Sequence, residues 1–157
     1  MAAAGSFESD VSGTAPRLRN TARAMSRDNI ELVRAWIRAA NEGDTDASLA
    51  LCDPAFEMVE SQTLPGAAKV SGLEALRSYA LGWRRNWSEW EWREEKLRDI
   101  PPDRVLLVAR LWLRGLRSGV EVERRWAYVF TVRDGKLLRQ DGYDNEAEAL
   151  EDVELRE

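Results

Sequence analysis

The side chains of this chain that can transfer protons are carboxylates, tyrosines, lysines and one cysteine, because the sequence contains no histidine. Ser-His-Asp catalysis, Cys-His catalysis and histidine metal ligands are therefore excluded. Asp141, within "LLRQDGYDN", is the first candidate for acid–base chemistry, since an aspartate is unfavourable in the middle of a predicted strand. The alternative is a structural ion pair with Arg139 or with an arginine of a neighbouring strand.

Arg110 is the second candidate, because it interrupts the mostly apolar predicted strand "LLVARLWLR". A buried arginine normally requires a carboxylate partner, and Asp141 is a suitable one. In that arrangement Arg110 would set the ionisation of Asp141. A purely structural ion pair is again the alternative.

Aromatic residues form the third group, with four of the seven tryptophans in "WRRNWSEWEW", residues 83–92. Trp83 and Trp87 follow helical spacing, whereas after Ser88 the period changes, and Trp90 and Trp92 are two residues apart, as on one face of a strand. The stretch is therefore predicted to be a helix-to-strand corner and not a continuous stacking platform. A tyrosine such as Tyr128 could donate to a developing oxyanion, or simply pack.

The elements that must position these residues begin after residues 1–25, which are small, polar and predicted to be a disordered extension. A helix follows and ends at Gly43, and Asp44 or Asp46 can cap a short second helix. "AFEMVES" is predicted to be a strand and "QTLPGAAKV" a loop. "SGLE" has the pattern of a capping box, so a third helix is predicted to start at Ser71.

The second half of the chain reads as four strands joined by the turns "PPD", "RSG" and "RDG". Turns this short predict antiparallel pairing, and Asp134-Gly135 is a strong hairpin signal. A short helical segment, "EAEALED", follows. Helices segregated from an antiparallel sheet predict an α+β domain over residues 26–151, with residues 152–157 as a tail.

Composition excludes several classes of partner. The net charge of −5 and the pI of about 5.0 give no basic surface for nucleic acid. No apolar run approaches the roughly 18 residues that span a bilayer, so no membrane partner is expected. The single cysteine, Cys52, suits a reducing cytoplasm and is expected to be a buried small hydrophobe. Neither a metal site nor a cofactor is expected, since no phosphate-loop or dinucleotide fingerprint is present.

Four segments resemble the SnoaL-like branch of the nuclear transport factor 2-like superfamily: "NIELVRAWIRAANEGDTDASLALCDPAFEM", "VSGLEALRSYALGW", "SGVEVERRWAYVFTVRDGKLLRQDGYDN" and "EAEALE". The resemblance implies a curved antiparallel sheet wrapped as a cone around N-terminal helices, with an apolar pocket at its mouth. It also implies a homodimer. Relatives include isomerases, cyclases, hydrolases, dehydratases and noncatalytic domains, so the fold is a poor guide to activity.

On this fold the aromatic residues are expected to form core and pocket wall. The residues predicted to contact a ligand are Trp36, Trp83, Trp87, Trp112, Trp126, Tyr128 and Tyr143. In epoxide hydrolases and cyclases of the superfamily, an aspartate on the final strand acts as acid or base, and the position of Asp141 is similar. A carboxylate in a pocket without water has a raised pKa and can act near pH 7.

The epoxide hydrolases also use an R-x-D pattern, but Trp112 stands where that pattern needs aspartate, which argues against epoxide hydrolysis. The expected function is binding of a small, largely apolar molecule, with acid–base chemistry centred on Asp141 and Arg110. The alternative is a noncatalytic ligand-binding or dimerising domain. The enzyme requires Asp141 to face an open cavity, whereas the alternative tolerates Asp141 in a closed ion pair or turned outward.

Overall fold

The computed structural model describes residues 25–61, 63 and 67–156, with the side chains of residues 155 and 156 left out. The predictions for residues 1–24 and for much of the loop before β2 lie outside these residues. The elements are, in chain order, α1 (residues 25–42), α2 (Thr45–Ala50), β1 (Cys52–Val59), β2 (Lys69–Ser71), α3 (Leu73–Asn86), β3 (Trp87–Ile100), β4 (Arg104–Gly115), β5 (Glu121–Arg133), β6 (Lys136–Tyr143) and α4 (Glu146–Arg156).

The end of α1 follows the prediction. Gly43 adopts a positive φ of 66°, a conformation that glycine reaches without a Cβ clash. Asp44 then caps α2, because its Oδ1 accepts a hydrogen bond of 3.0 Å from the backbone N–H of Ala47. This polar turn lets the chain reverse between two helices without leaving the first backbone donors of α2 unpaired.

The six strands form one curved, unclosed sheet in the order β2-β1-β6-β5-β4-β3. The hairpins β3–β4, β4–β5 and β5–β6 are antiparallel, as their short turns predict. Asp134 and Gly135 both have positive φ, 51° and 73°, as the tight β5–β6 turn requires. β1 pairs with β6 in parallel, so the sheet is mixed and the prediction of an all-antiparallel sheet is wrong at this pair.

The two faces of the sheet bury different helices. On the inner face, Val33 and Ile37 of α1 join a core that includes Phe56, Phe130 and Leu137. On the outer face, helix α4 contributes two buried residues, Ala149 and Val153. They pack against the strand residues Leu106, Val108, Ala127 and Val129. Because side chains alternate along a strand, this second core identifies which residues point away from α1 and α3.

Several boundaries differ from the predicted ones. Ser71 belongs to β2, a short strand that the sequence pattern did not predict, and Gly72 precedes α3 without a side-chain cap. The predicted capping box at Ser71 is therefore wrong. Met25 is already helical, and α4 continues to Arg156, with Val153 buried on the sheet.

None of the helices in the described part of the chain is long and apolar enough to cross a membrane.

Candidate functional site

A cavity of about 750 Å³ lies between the inner face of the sheet and the helices α1, α2 and α3. This volume falls in the range of pockets that bind drug-sized molecules, roughly 300–1,000 Å³. Its wall includes the aromatic residues Trp36, Tyr79, Trp83, Trp87, Trp90, Trp92, Trp126 and Tyr128. Its polar wall residues include Glu60, Ser61, Arg124 and Gln140.

The predicted helix-to-strand corner forms one side of this cavity. The helix α3 ends at Asn86 and β3 starts at Trp87. The Trp90 indole N–H donates a 2.6 Å hydrogen bond to the carbonyl of Ala40. The same carbonyl, in the last turn of α1, also accepts from the backbone N–H of Gly43 at 3.1 Å. The corner is therefore fixed to the end of α1.

Asn41 makes a second attachment between α1 and β3. Its amide nitrogen donates to the carbonyl of Trp92 at 3.0 Å, and its oxygen accepts from the backbone N–H of Trp92 at 2.6 Å. The amide thus pairs with β3 as a neighbouring strand would. This pairing sets the position of the Trp92 ring inside the cavity.

Trp92 is the centre of the aromatic wall. Its ring centroid lies 5.6 Å from that of Trp36, 6.4 Å from that of Trp83 and 5.4 Å from that of Tyr128. The rings meet in tilted or edge-to-face arrangements, which aromatic quadrupoles favour. The contacts join α1, α3, β3 and β5, so the wall is held by four elements of the fold.

Glu60 and Tyr79 form the carboxylate site of the cavity. The Tyr79 hydroxyl donates a short hydrogen bond to Oε1 of Glu60, and the backbone N–H of Ala68 donates to Oε2 at 3.0 Å. Burial, followed by the bond to Glu60, raises the pKa of Tyr79 well above its ordinary value of 10.0. Tyr79 therefore stays protonated and continues to donate to the carboxylate.

Tyr128 and Gln140 provide two further polar groups. Burial is the largest cause that raises the pKa of Tyr128, and electrostatic interaction with the nearby Tyr79 and Glu60 adds to it. The Tyr128 hydroxyl is thus a neutral hydrogen-bond donor close to Glu60. Gln140 is 3% exposed and lies on β6 opposite Phe130 and Met58, on the cavity side of the sheet.

Arg124 lines the cavity, and the negatively charged Asp144 is bonded to the wall residue Ser61. The guanidinium of Arg124 stacks over the Trp126 ring at 4.4 Å from its centroid, a cation–π contact. Asp144 accepts hydrogen bonds from the hydroxyls of Thr63 (2.6 Å) and Ser61 (2.7 Å). These two bonds are the main causes that lower the pKa of Asp144, and the positive charge of Arg124 adds to them.

Asp141 does not lie on the cavity wall. It is 5% exposed and stands opposite Val129, which packs with α4 on the outer face of the sheet. Its carboxylate accepts from Nε of Arg139 at 2.9 Å, and Nη1 of Arg139 also pairs with Glu57 at 3.3 Å. The arrangement is the ion pair considered as the alternative, so the expected cavity position of Asp141 is wrong.

Arg110 also lies on the outer face, and its side chain is 54% exposed. Its partners are Glu95 at 2.5 Å and Glu123 at 3.3 Å. The expected pairing of Arg110 with Asp141 is therefore wrong. The physical reason is strand parity, because Arg110 shares a face with Val108, which packs under α4.

The seven aromatic residues predicted to contact a ligand divide by the same parity. The cavity wall includes five of them: Trp36, Trp83, Trp87, Trp126 and Tyr128. Trp112 instead packs under the guanidinium of Arg114, 5.2 Å from its ring centroid. The Tyr143 hydroxyl donates a short hydrogen bond to Asp152 of α4. Trp112 and Tyr143 therefore do not belong to the cavity.

The sequence reasoning passed over the residues that carry the polar chemistry of the cavity. The sequence pattern singled out neither Glu60 nor Gln140. A usable signal was present, since Glu60 shares a strand face with the buried Phe56 and Met58. Among the described residues, no group of three or more Cys, Asp or Glu side chains could hold a metal ion.

Cys52 lies in the inner core near the start of β1 and is buried, as predicted. Burial raises the pKa of its thiol to about 12, and the charge of Lys136 opposes this only in part. At neutral pH the thiol is therefore a hydrophobic group and not a nucleophile.

Comparisons with solved structures agree with this architecture. An NTF2-like protein of unknown function from Burkholderia pseudomallei has a TM-score of 0.68 at 12% identity, over 79% of this chain and 95% of its own. A proposed polyketide cyclase from Xanthomonas campestris has a TM-score of 0.68 at 21% identity, over 82% and 98%. TerC, co-crystallised with polyporic acid, has a TM-score of 0.67 at 18% identity, over 81% and 98%.

At these identities the three structures show the shared fold alone. A comparison with curated protein sequences finds no significant match. The family model described as "SnoaL-like domain" matches residues 33–140, which extend from α1 to the cavity residue Gln140. With its α+β cone, its mixed six-stranded sheet and this match over more than half its length, the chain belongs to the SnoaL-like domain family.

Proposed function

We propose that this protein binds a small, largely apolar, ring-containing molecule in the aromatic cavity and acts on it by carboxylate acid–base chemistry of the isomerase or cyclase type. The observation that carries the proposal is the Glu60 carboxylate, held by Tyr79 and by the Ala68 backbone on the wall of a tryptophan-rich cavity. The proposal moves the proton-transfer role from Asp141 to Glu60.

The cavity supports a flat apolar ligand for two reasons. Its volume suits a molecule of two to four rings, and its aromatic walls offer ring faces and edges from four elements. The structural neighbours include a proposed polyketide cyclase and a protein crystallised with polyporic acid, both consistent with a ring-containing ligand.

The proposed step is removal of a proton from a carbon next to a ligand carbonyl. Glu60 takes the proton, and the electron pair of the broken C–H bond moves to the carbonyl oxygen to give an enolate. Tyr128, whose hydroxyl stays protonated, donates a hydrogen bond to that oxygen. Where the ligand also carries a double bond between its β- and γ-carbons, the product is a dienolate, and return of the proton from Glu60 to the γ-carbon completes an isomerisation with no further reactant.

The test uses 2-tetralone, a two-ring ketone with acidic protons at C1. Binding is measured by quenching of tryptophan fluorescence, and exchange of the C1 protons in D₂O is measured by NMR. We expect the wild-type protein to accelerate exchange at least about 100-fold over buffer, as positioned general bases do. We expect the Glu60→Gln variant to lose this acceleration while it still binds.

Asp141→Asn is the matched control, because Asp141 lies on the other face of the sheet. Its exchange rate should equal that of the wild type. If 2-tetralone binds but its proton exchange is not accelerated, the catalytic part of the proposal is overturned. That result would support a noncatalytic pocket protein, which the ion pair of Asp141 with Arg139 also allows. Failure of 2-tetralone and other two-ring compounds to bind would overturn the binding proposal itself.

A further inference from the structure

Gln140 lies on the cavity wall, and its amide makes no hydrogen bond to another residue within the part of the chain that the structure describes. The residue as a whole is 3% exposed, and its neighbours across the sheet are the apolar residues Phe130 and Met58. Its amide atoms are not among the fully buried polar atoms that lack a partner, so they open into the cavity. The amide is therefore available to a group inside the cavity.

The position of Gln140 rules out a role in holding the sheet together through its side chain. The backbone of β6 pairs with β1 on one side and β5 on the other without help from the amide. The group that the amide faces is whatever occupies the cavity.

We propose that Gln140 is a specificity-determining residue that binds a planar ligand group able to donate and accept hydrogen bonds together. An amide offers one carbonyl acceptor and two N–H donors, so a carboxamide, or a carbonyl beside a hydroxyl on a ring edge, satisfies both halves. A simple ketone satisfies only the N–H side and leaves the Gln140 carbonyl unpaired. This inference rests on the proposed function, because it concerns the ligand of the same cavity.

The experiment compares two probes of nearly equal shape, 2-naphthamide and 2-acetylnaphthalene, in which an NH₂ group replaces a methyl group. Dissociation constants are measured by tryptophan fluorescence for the wild type and for Gln140→Met, which keeps the length of the side chain. For each protein, the ratio of the dissociation constants of the two probes gives its preference between them. Comparing this ratio between the wild type and the variant cancels the difference in hydration between the probes. Gln140→Leu serves as a second variant if the first does not fold.

We expect the preference of the wild type for 2-naphthamide to exceed that of Gln140→Met by about fivefold to tenfold, the effect of one net hydrogen bond. We also expect Gln140→Met to melt at least as high as the wild type, because the substitution breaks no hydrogen bond within the described residues. A structural role for the amide predicts a lower melting temperature.

Two results would overturn the inference while the proposed function stands: equal probe preferences in the two proteins, or a lower melting temperature of Gln140→Met together with unchanged preference. If neither probe nor 2-tetralone binds the wild type, the proposed function fails and the inference fails with it. The outcomes are therefore distinguishable.

Discussion

The hydroxyl of Tyr79 donates a hydrogen bond to Oε1 of Glu60, 19 residues earlier in the chain. The bond links the middle of α3 to the residue that follows β1, across the rim of the aromatic cavity. The backbone N–H of Ala68 holds the second carboxylate oxygen at 3.0 Å. The Glu60 carboxylate is thus held in one orientation by α3 and by the segment before β2, as a positioned acid–base group requires.

The first prediction concerns Tyr79→Phe. Loss of the hydroxyl removes a buried hydrogen bond to a charged group, so the free energy of unfolding should fall by about 1–2 kcal/mol in urea denaturation. The exchange of 2-tetralone protons should slow at the same time, since Glu60 loses its positioning partner. An unchanged stability would show that the bond contributes nothing in solution.

The second prediction concerns the ion pair on the outer face. Asp141→Asn leaves the partly buried Arg139 with Glu57 alone and should lower the free energy of unfolding by about 1–3 kcal/mol. The dissociation constant of 2-tetralone should stay within twofold of the wild type, because Asp141 faces away from the cavity. If Asp141→Asn lost binding of 2-tetralone while its stability was unchanged, Asp141 would have to belong to the binding site.

The third prediction compares two tryptophans that the sequence treats alike. Trp83→Phe should weaken binding of 2-tetralone by about twofold to tenfold, because Trp83 lines the cavity and contacts Trp92. Trp112→Phe is the matched control and should bind as the wild type does, since Trp112 packs under Arg114 on the other face. Equal effects of both changes would contradict the cavity assignment.

The fourth prediction concerns how the stability of the protein depends on pH through Asp144. Hydrogen bonds from Thr63 and Ser61 lower the pKa of Asp144 in the folded protein below its ordinary value of 3.8. A group with a depressed folded pKa binds protons more readily in the unfolded state. Its contribution to stability is therefore present above the unfolded pKa and is lost as the pH falls through the folded pKa.

Thermal melts between pH 2 and pH 7 should then show a steeper acid-side loss for the wild type than for Asp144→Asn, with the difference concentrated below about pH 4. Parallel curves for the two proteins would contradict the assignment. Asp134→Asn is a suitable control, because Asp134 lies in the β5–β6 turn. The melting temperature of this variant should depend on pH as that of the wild type does.

The sequence by itself determined the order of helices and strands, the turns at Gly43 and Asp134-Gly135, and the family. These features depend on local signals: helical or strand periodicity, a capping aspartate and the positive φ that glycine allows. The existence of a helix-to-strand corner was predictable for the same reason, but the spacing of tryptophans placed it after Ser88, whereas the helix ends at Asn86 and Trp87 already belongs to β3.

Only the tertiary structure decided which face of each strand meets the cavity. Along β6 both alternating sets are polar, with Arg139 and Asp141 on one face and Gln140 on the other, so hydrophobicity gives no preference. Two tertiary contacts determine which face meets the cavity. Helix α4 covers the outer face of the sheet. The parallel pairing of β1 with β6 sets Met58 beside Gln140 and brings Glu60 to the cavity wall. Both contacts join segments far apart in the chain, and local periodicity carries no information about such pairs.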